Sequence, residues 1–150
     1  MRCLEKSRVH TTWMVSGFAL PAMLVMPLAF ADTKLSPSPE GAAAYIISPA
    51  DGEVVGETVT VKFGLQGMGV APAGVDKPNT GHHHLLVDGE KLPDLKQPLG
   101  KEVMHFGGGQ TQKVIHLKPG KHTLQLILGN HQHIPHDPPV VSEKITIIVR

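Results

Sequence analysis

Cysteine is almost absent from this chain of 150 residues, and the single one is Cys3, close to the N-terminus. The rest of the chain can therefore have neither disulfide bonds nor a cysteine nucleophile. A serine-triad signature is also absent. From Tyr45 onward, no stretch of eleven residues keeps the i, i+3, i+4 apolar spacing of an amphipathic helix, so we predict no helix of any length there.

The first 31 residues have the pattern of an export signal. Three basic residues precede a mostly apolar run from 13 to 30. The run ends in Ala29-Phe30-Ala31, a small-x-small triplet that predicts signal peptidase cleavage after Ala31. Two prolines inside the run and the lack of a positively charged flank argue against a retained membrane anchor. We therefore expect a periplasmic or secreted protein with no membrane span in its mature form.

Removal of this segment changes the charge of the chain. Lys plus Arg falls from 14 to 11 and Asp plus Glu from 13 to 12, so the formal charge moves from +1 to −1. No basic patch then remains for nucleic acid or anionic lipid. Residues 32–44 are rich in Pro, Ser and Ala without periodicity, which is typical of a flexible linker. The remaining range, 45–150, has the length of one domain.

Short segments of alternating apolar and polar residues follow from Tyr45 onward, separated by Gly and Pro clusters. In 58–65, for example, Val59, Val61 and Phe63 share one face, as in a half-buried antiparallel strand. About seven such segments indicate an all-β fold, a β-sandwich of the immunoglobulin or fibronectin type III kind. The predicted strands are 44–47, 58–65, 83–87, 101–105, 112–117, 122–128 and 141–149.

Histidine is the one residue type in clear excess, because nine of the ten histidines lie after residue 31. In a sandwich of seven strands, the second-to-third, fourth-to-fifth and sixth-to-seventh connections lie at one end. His116 and His122 fall at the opposite end. The three connections carry seven histidines, namely His82, His83, His84, His105, His131, His133 and His136, with Met68 and Met104 close by.

The spacing of these histidines suits a metal site. His82 and His84 project from one face of an extended strand and leave His83 to packing. A second i, i+2 pair follows later in the chain, and two such pairs can close around zinc at roughly 2.0 to 2.1 Å. Copper also suits imidazole, and a methionine thioether would favour Cu(I). The predicted ligands of a copper or zinc ion are His82, His84, His105, His131, His133 and His136.

Other functions stay open beside metal binding. A single histidine in a β-protein is more often a surface or hydrogen-bonded side chain than a ligand. The chief alternative is a metal-free sandwich that binds a periplasmic protein or cell-wall partner. An enzyme using the same metal would need an open coordination position and a general base, for which only Asp88 and Asp137 are candidates. Their expected role is to orient an imidazole, so we favour a binding protein over an enzyme.

The chain also carries distinctive motifs: PAG (72–74), TGHHHLLVD (80–88), HFGGGQT (105–111), LKPGKHTLQLILGNHQHIPH (117–136) and PPVVSEKITIIV (138–149). Together they resemble the bacterial family called domain of unknown function 4399, over roughly residues 46–149. The resemblance implies an exported single-domain protein without an assigned activity. The family's motif histidines fall on all seven clustered positions and on His122, whereas His116 lies outside the motifs.

Overall fold

The structure is a computed structural model that describes residues 35–150. The predicted signal peptide and the first residues of the predicted linker lie outside this range. Within it, every regular element is a strand, and no helix is long and apolar enough to cross a membrane. The strands are β1 (Ala43–Ser48), β2 (Val54–Val55), β3 (Thr58–Gln66), β4 (Gly69–Val70), β5 (Thr80–Val87), β6 (Met104–His105), β7 (Gln112–His116), β8 (Gly120–Gly129) and β9 (Ile145–Val149).

The strands form two sheets that pack as a sandwich. One has three strands in the order β1-β3-β7, and the other has six, in the order β2-β9-β8-β5-β4 with β6 also paired to β5. Val61 and Phe63 of β3 face Leu85 and Leu126 of the larger sheet in a shared core. Burial alternates along β3 as predicted from the alternation of apolar and polar residues in its sequence. The all-β prediction is therefore confirmed, as is the sandwich.

Three of the predicted strands are shorter in the structure, although 112–117 loses only its last residue. The segment 101–105 contributes only Met104–His105, and the last strand begins at Ile145 instead of Val141. The residues between β5 and β6 lie instead across the outer face of the larger sheet. There Leu99 and Val103 pack with Leu86 and Ile127 in a second, smaller core. Burial of apolar side chains against that face competes with strand pairing and wins in this segment.

Because of this second core, β5 is covered on both sides. Its residues from Gly81 to Leu86 are all buried. Antiparallel strands usually have one solvated face. The outward-facing residues of β5 are therefore unusual in having little contact with water, and two of them are histidines.

The segment before β1 is attached to the domain. The backbone N–H of Ser38 donates to the carbonyl of Asp137 (3.2 Å), and the N–H of Asp137 donates to the carbonyl of Ser36 (2.9 Å). The Ser38 hydroxyl also donates to the carbonyl of Pro138 (2.7 Å). The range 32–44, expected to be a flexible linker, thus includes residues held by backbone pairing, and Ala43 already belongs to β1.

Candidate metal centre

Three consecutive histidines of β5 are buried, with 0% exposure for His82 and His83 and 1% for His84. Successive side chains of a strand point to opposite faces. The ring of His83 lies in the core between the sheets, 5.2 Å from the ring of Phe63 between centroids. His82 and His84 share the other face, with ring centroids 4.7 Å apart. The outer face of β5 therefore carries a buried pair of imidazoles.

Two further histidines approach this pair from different elements. His105 of β6 lies opposite His84 in the strand register, and the centroids of their rings are 5.2 Å apart. His133 follows β8 in a turn, with its ring centroid 5.0 Å from that of His82 and 4.6 Å from that of His105. Each ring offers one nitrogen, and these nitrogens all lie within 4.8 Å of one another. We call His82, His84, His105 and His133 the four-histidine group.

The hydrogen bonding of this group is incomplete. His82 Nε2 and His133 Nδ1 share a hydrogen bond of 3.0 Å. Within residues 35–150, the Nδ1 atom of His82 and both ring nitrogens of His84 have no partner at hydrogen-bond geometry. The nearby backbone of Ile127 acts only to raise the pKa of His84, against the larger effect of burial. A buried polar group without a partner costs about 1–3 kcal/mol, so native structures seldom keep one unless an ion or water completes it. The ring nitrogens therefore have free capacity to bind something.

The electrostatics keep these rings neutral. Burial, followed by repulsion from His133 and His105, lowers the pKa of His82 from 6.5 to about 4. Burial and then the neighbouring His82 lower the pKa of His84 to about 3. Burial likewise lowers the pKa of His133. A neutral imidazole has the free lone pair that a metal requires, so these three rings are ready to coordinate at neutral pH.

Glycines make room for two of the rings. A Cβ atom at Gly129, at the end of β8, would lie 2.7 Å from Cε1 of His84 and 3.2 Å from its Nδ1. A Cβ atom at Gly107 would overlap the ring of His105. The positions of His84 and His105 therefore depend on small residues in neighbouring segments.

Two histidines that were predicted as ligands lie elsewhere. His131 Nδ1 is 3.4 Å from Oδ1 of the exposed Asp76. His136 is buried and its Nε2 donates to the carbonyl of Thr80 at 3.2 Å. Both residues line a cavity with Asn130, and neither belongs to the four-histidine group. The structure thus brings together four of the six predicted positions.

The methionines and carboxylates singled out in the sequence also lie outside the group. Met68 packs against the main core, and Met104 lies opposite Leu85, whose side chain is in that core. Asp88 does orient an imidazole, but it is that of His122, whose Nδ1 donates to Asp88 Oδ2 at 2.8 Å. In the part of the chain that the structure describes, only one group of three or more His, Cys, Asp or Glu is spaced for a metal, and all its members are histidines.

Sequence reasoning assigned no role to Gly129 or Asn130, although both border the group. Asn130 is 2% exposed, and its side chain organises the turn that carries His133. The Gly-Asn pair at the end of an apolar strand could have indicated this turn, because Gly and Asn are frequent in turns and Asn side chains bond to the backbone there.

Comparison with known proteins identifies a family for this chain. No curated protein and no solved structure matches the chain significantly. The model of one protein family matches residues 61–150, a range that includes the whole four-histidine group. This range is more than half of the 150 residues, so the chain belongs to the family described as Domain of unknown function (DUF4399).

Proposed function

We propose that this protein binds a transition-metal ion, copper or zinc, through the four-histidine group. The observation that carries the proposal is the convergence of four ring nitrogens within 4.8 Å of one another, two of them from rings that are almost fully buried. The low pKa values of His82 and His84 support it, because both rings offer lone pairs at neutral pH.

The donor set narrows the class of metal. Ca²⁺ and Mg²⁺ take oxygen ligands, whereas imidazole suits zinc and copper. Zn–N bonds of about 2.0–2.1 Å in a tetrahedron put neighbouring nitrogens about 3.3–3.4 Å apart. The 3.0 Å between His82 Nε2 and His133 Nδ1 is close to that value. His105 is exposed and belongs to a two-residue strand, so it has the freedom to close the remaining distance.

The number of protein ligands favours a binding role over catalysis. Structural zinc sites have four protein ligands, whereas catalytic sites keep one coordination position for water or substrate. Four imidazoles would fill a tetrahedral ion. Together with the predicted signal peptide, this supports an exported carrier or buffer of copper or zinc ions.

Calorimetric titration of the purified protein without a histidine tag tests the proposal. The titrants are Zn(II), Cu(II) and, under reducing conditions, Cu(I). We expect one equivalent of at least one metal to bind with a Kd of about 1 µM or tighter. The double variant His82→Ala/His84→Ala should lose this binding. His116→Ala should retain it, because His116 lies on β7 in the other sheet.

Circular dichroism of each variant shows whether it is folded. Full stoichiometry in a folded double variant would contradict the ligand assignment. No saturable binding of any of the three ions by the unaltered protein would reject metal binding. The metal-free interaction module would then be the better hypothesis, with the His82–His133 hydrogen bond as part of a polar core.

A further inference from the structure

The turn after β8 is organised around the side chain of Asn130. Its Oδ1 accepts hydrogen bonds from the backbone N–H of Gln132 (2.9 Å) and of Ile134 (3.0 Å). Its backbone N–H donates to the carbonyl of Ile134 (2.8 Å), and its own carbonyl accepts from the N–H of His133 (2.9 Å). Asn130 therefore contacts the backbone at every residue from Gln132 to Ile134.

His133, in the middle of this turn, has an unfavourable backbone conformation. Its φ angle is +66°, in the left-handed region that costs a residue with a side chain about 1–2 kcal/mol. Such a conformation persists only where the surroundings impose it. Asn130 holds both peptide groups that flank His133: its Oδ1 accepts from the N–H of Ile134 on the far side, and its backbone carbonyl accepts from the N–H of His133 itself. Oδ1 also accepts from the N–H of Gln132, one peptide group earlier, so the side chain of Asn130 fixes the turn that sets the direction of the His133 side chain.

Other contacts fix the Asn130 amide and the far side of the turn. Asn130 Nδ2 donates to the Ser36 hydroxyl at 2.9 Å, which orients the amide with its oxygen toward the turn. The N–H of Leu99, in the segment that covers the outer face of the sheet, donates to the carbonyl of His133 at 2.9 Å. The backbone around His133 is thus held from two directions, and the side-chain contacts to it come from Asn130 Oδ1.

We propose that Asn130 is a positioning residue of the metal centre. It holds His133 in the left-handed conformation that presents Nδ1 to Nε2 of His82. The inference rests on the proposed metal binding, but it concerns a residue that does not touch the ion. Loss of a group that orients a ligand typically weakens metal affinity by about 10–100-fold.

The test measures metal affinity in variants of the full protein. The probe is Zn(II) or Cu(II), whichever binds the unaltered protein more tightly. Asn130→Ala removes the acceptor oxygen, and we expect its Kd to rise by about 10–100-fold. Asn130→Asp retains an oxygen in the same place, and its Kd should stay within about threefold of the unaltered value. If Asn130→Ala does not fold, Asn130→Ser provides the comparison, with an expected increase of about tenfold.

The matched control is Ser142→Ala. Ser142 is also buried, and its hydroxyl accepts from the N–H of Leu126 at 2.8 Å, away from the turn. This variant should lower Tm as Asn130→Ala does, yet leave the Kd unchanged. A second readout is the number of coordinated imidazoles, counted from histidine ring NMR signals for Zn(II) or nitrogen hyperfine coupling for Cu(II). One imidazole should be lost or weakened in Asn130→Ala only.

The outcomes separate this inference from the proposed function. An unaltered protein that binds no metal would overturn both. Normal metal binding by the unaltered protein together with an unchanged Kd in Asn130→Ala would overturn only the positioning role. Equal weakening in Ser142→Ala, or in Asn130→Asp, would also overturn it, because the effect would then come from general destabilisation and not from the acceptor oxygen.

Discussion

Lowering the pH should destabilise the metal-free protein through its buried histidines. The pKa of His82 is about 4 and that of His84 about 3 in the folded state, against an ordinary value of 6.5. As the pH falls below 6.5, the unfolded chain takes up protons at these positions before the folded chain does. Stability therefore rises with pH in this window, and these two histidines stop contributing to the pH dependence above about pH 7.

The size of the effect follows from the same pKa values. Each histidine with a depressed folded pKa costs about 1.4 kcal/mol for each pH unit below its unfolded pKa, until the folded pKa is reached. At pH 5 each of the two has lost about 2 kcal/mol relative to pH 8, or about 4 kcal/mol together. A domain has a total stability of about 5–15 kcal/mol, so this loss should bring the metal-free protein close to unfolding.

Urea unfolding followed by circular dichroism at pH 8, 7, 6 and 5, with a chelator present, measures this loss. The double variant His82→Gln/His84→Gln should show a much smaller pH dependence. Some dependence should remain, because burial also lowers the pKa of His83, His133 and His136. His116→Gln, which removes a histidine from the other sheet, is the control and should behave as the unaltered protein. A free energy of unfolding that stays constant from pH 8 to 5, or an equal slope in the double variant, would refute this account.

Two other changes have expected outcomes. At the opposite end of β8, the hydrogen bond to Asp88 raises the pKa of His122. The stability that this pair contributes is therefore fully present below the ordinary histidine pKa, and it is lost as the pH rises through the raised pKa of His122. Asp88→Asn should therefore cost roughly 1 kcal/mol or less at pH 6 and less still at pH 9 in urea unfolding, and an equal cost at both pH values would contradict the assignment. Gly129→Ala should lower stability by about 1–3 kcal/mol and weaken metal binding at least about tenfold, because its Cβ would displace the ring of His84. Gly56→Ala, where a Cβ meets no atom within 4 Å, is the matched control in both thermal melting and titration.

The main core could be predicted from the sequence because its strands alternate. In β3 the apolar residues recur at every second position, and the structure buries Val59, Val61 and Phe63. In β9 it buries Ile147 and Val149 and leaves Ile148, on the other face, exposed. The residues of the second core show no such alternation in the sequence. Leu92, Leu95 and Leu99 are spread over a loop rich in charged residues and proline, and they gather only because the outer face of β5 and β8 is there to cover. Tertiary contacts of this kind have no period in the sequence.

The candidate site could likewise be predicted from the sequence only in part. The i, i+2 rule placed His82 and His84 together because both lie in a real strand, β5. The same rule paired His131 with His133, and there the rule does not apply because the two residues lie in a turn. With φ of +66° at His133, the side chains diverge, and only His133 joins the group while His131 lies beside Asp76. Sequence spacing predicts shared faces in extended backbone and fails where a side chain such as Asn130 sets the turn.

The position of the histidines within the sandwich bears on their role. A polar residue on a solvated strand face needs no protein partner, because water completes its hydrogen bonds. The segment that covers β5 removes His82 and His84 from water without supplying partners for three of their four ring nitrogens. If these positions served only to fill space, apolar residues of similar volume would avoid a cost of about 1–3 kcal/mol for each unpaired group. An ion takes one nitrogen from each ring, so in His84, where both ring nitrogens lack a partner, it would use a free nitrogen and offset part of that cost. The buried, incompletely bonded pair therefore favours a metal centre over a polar core.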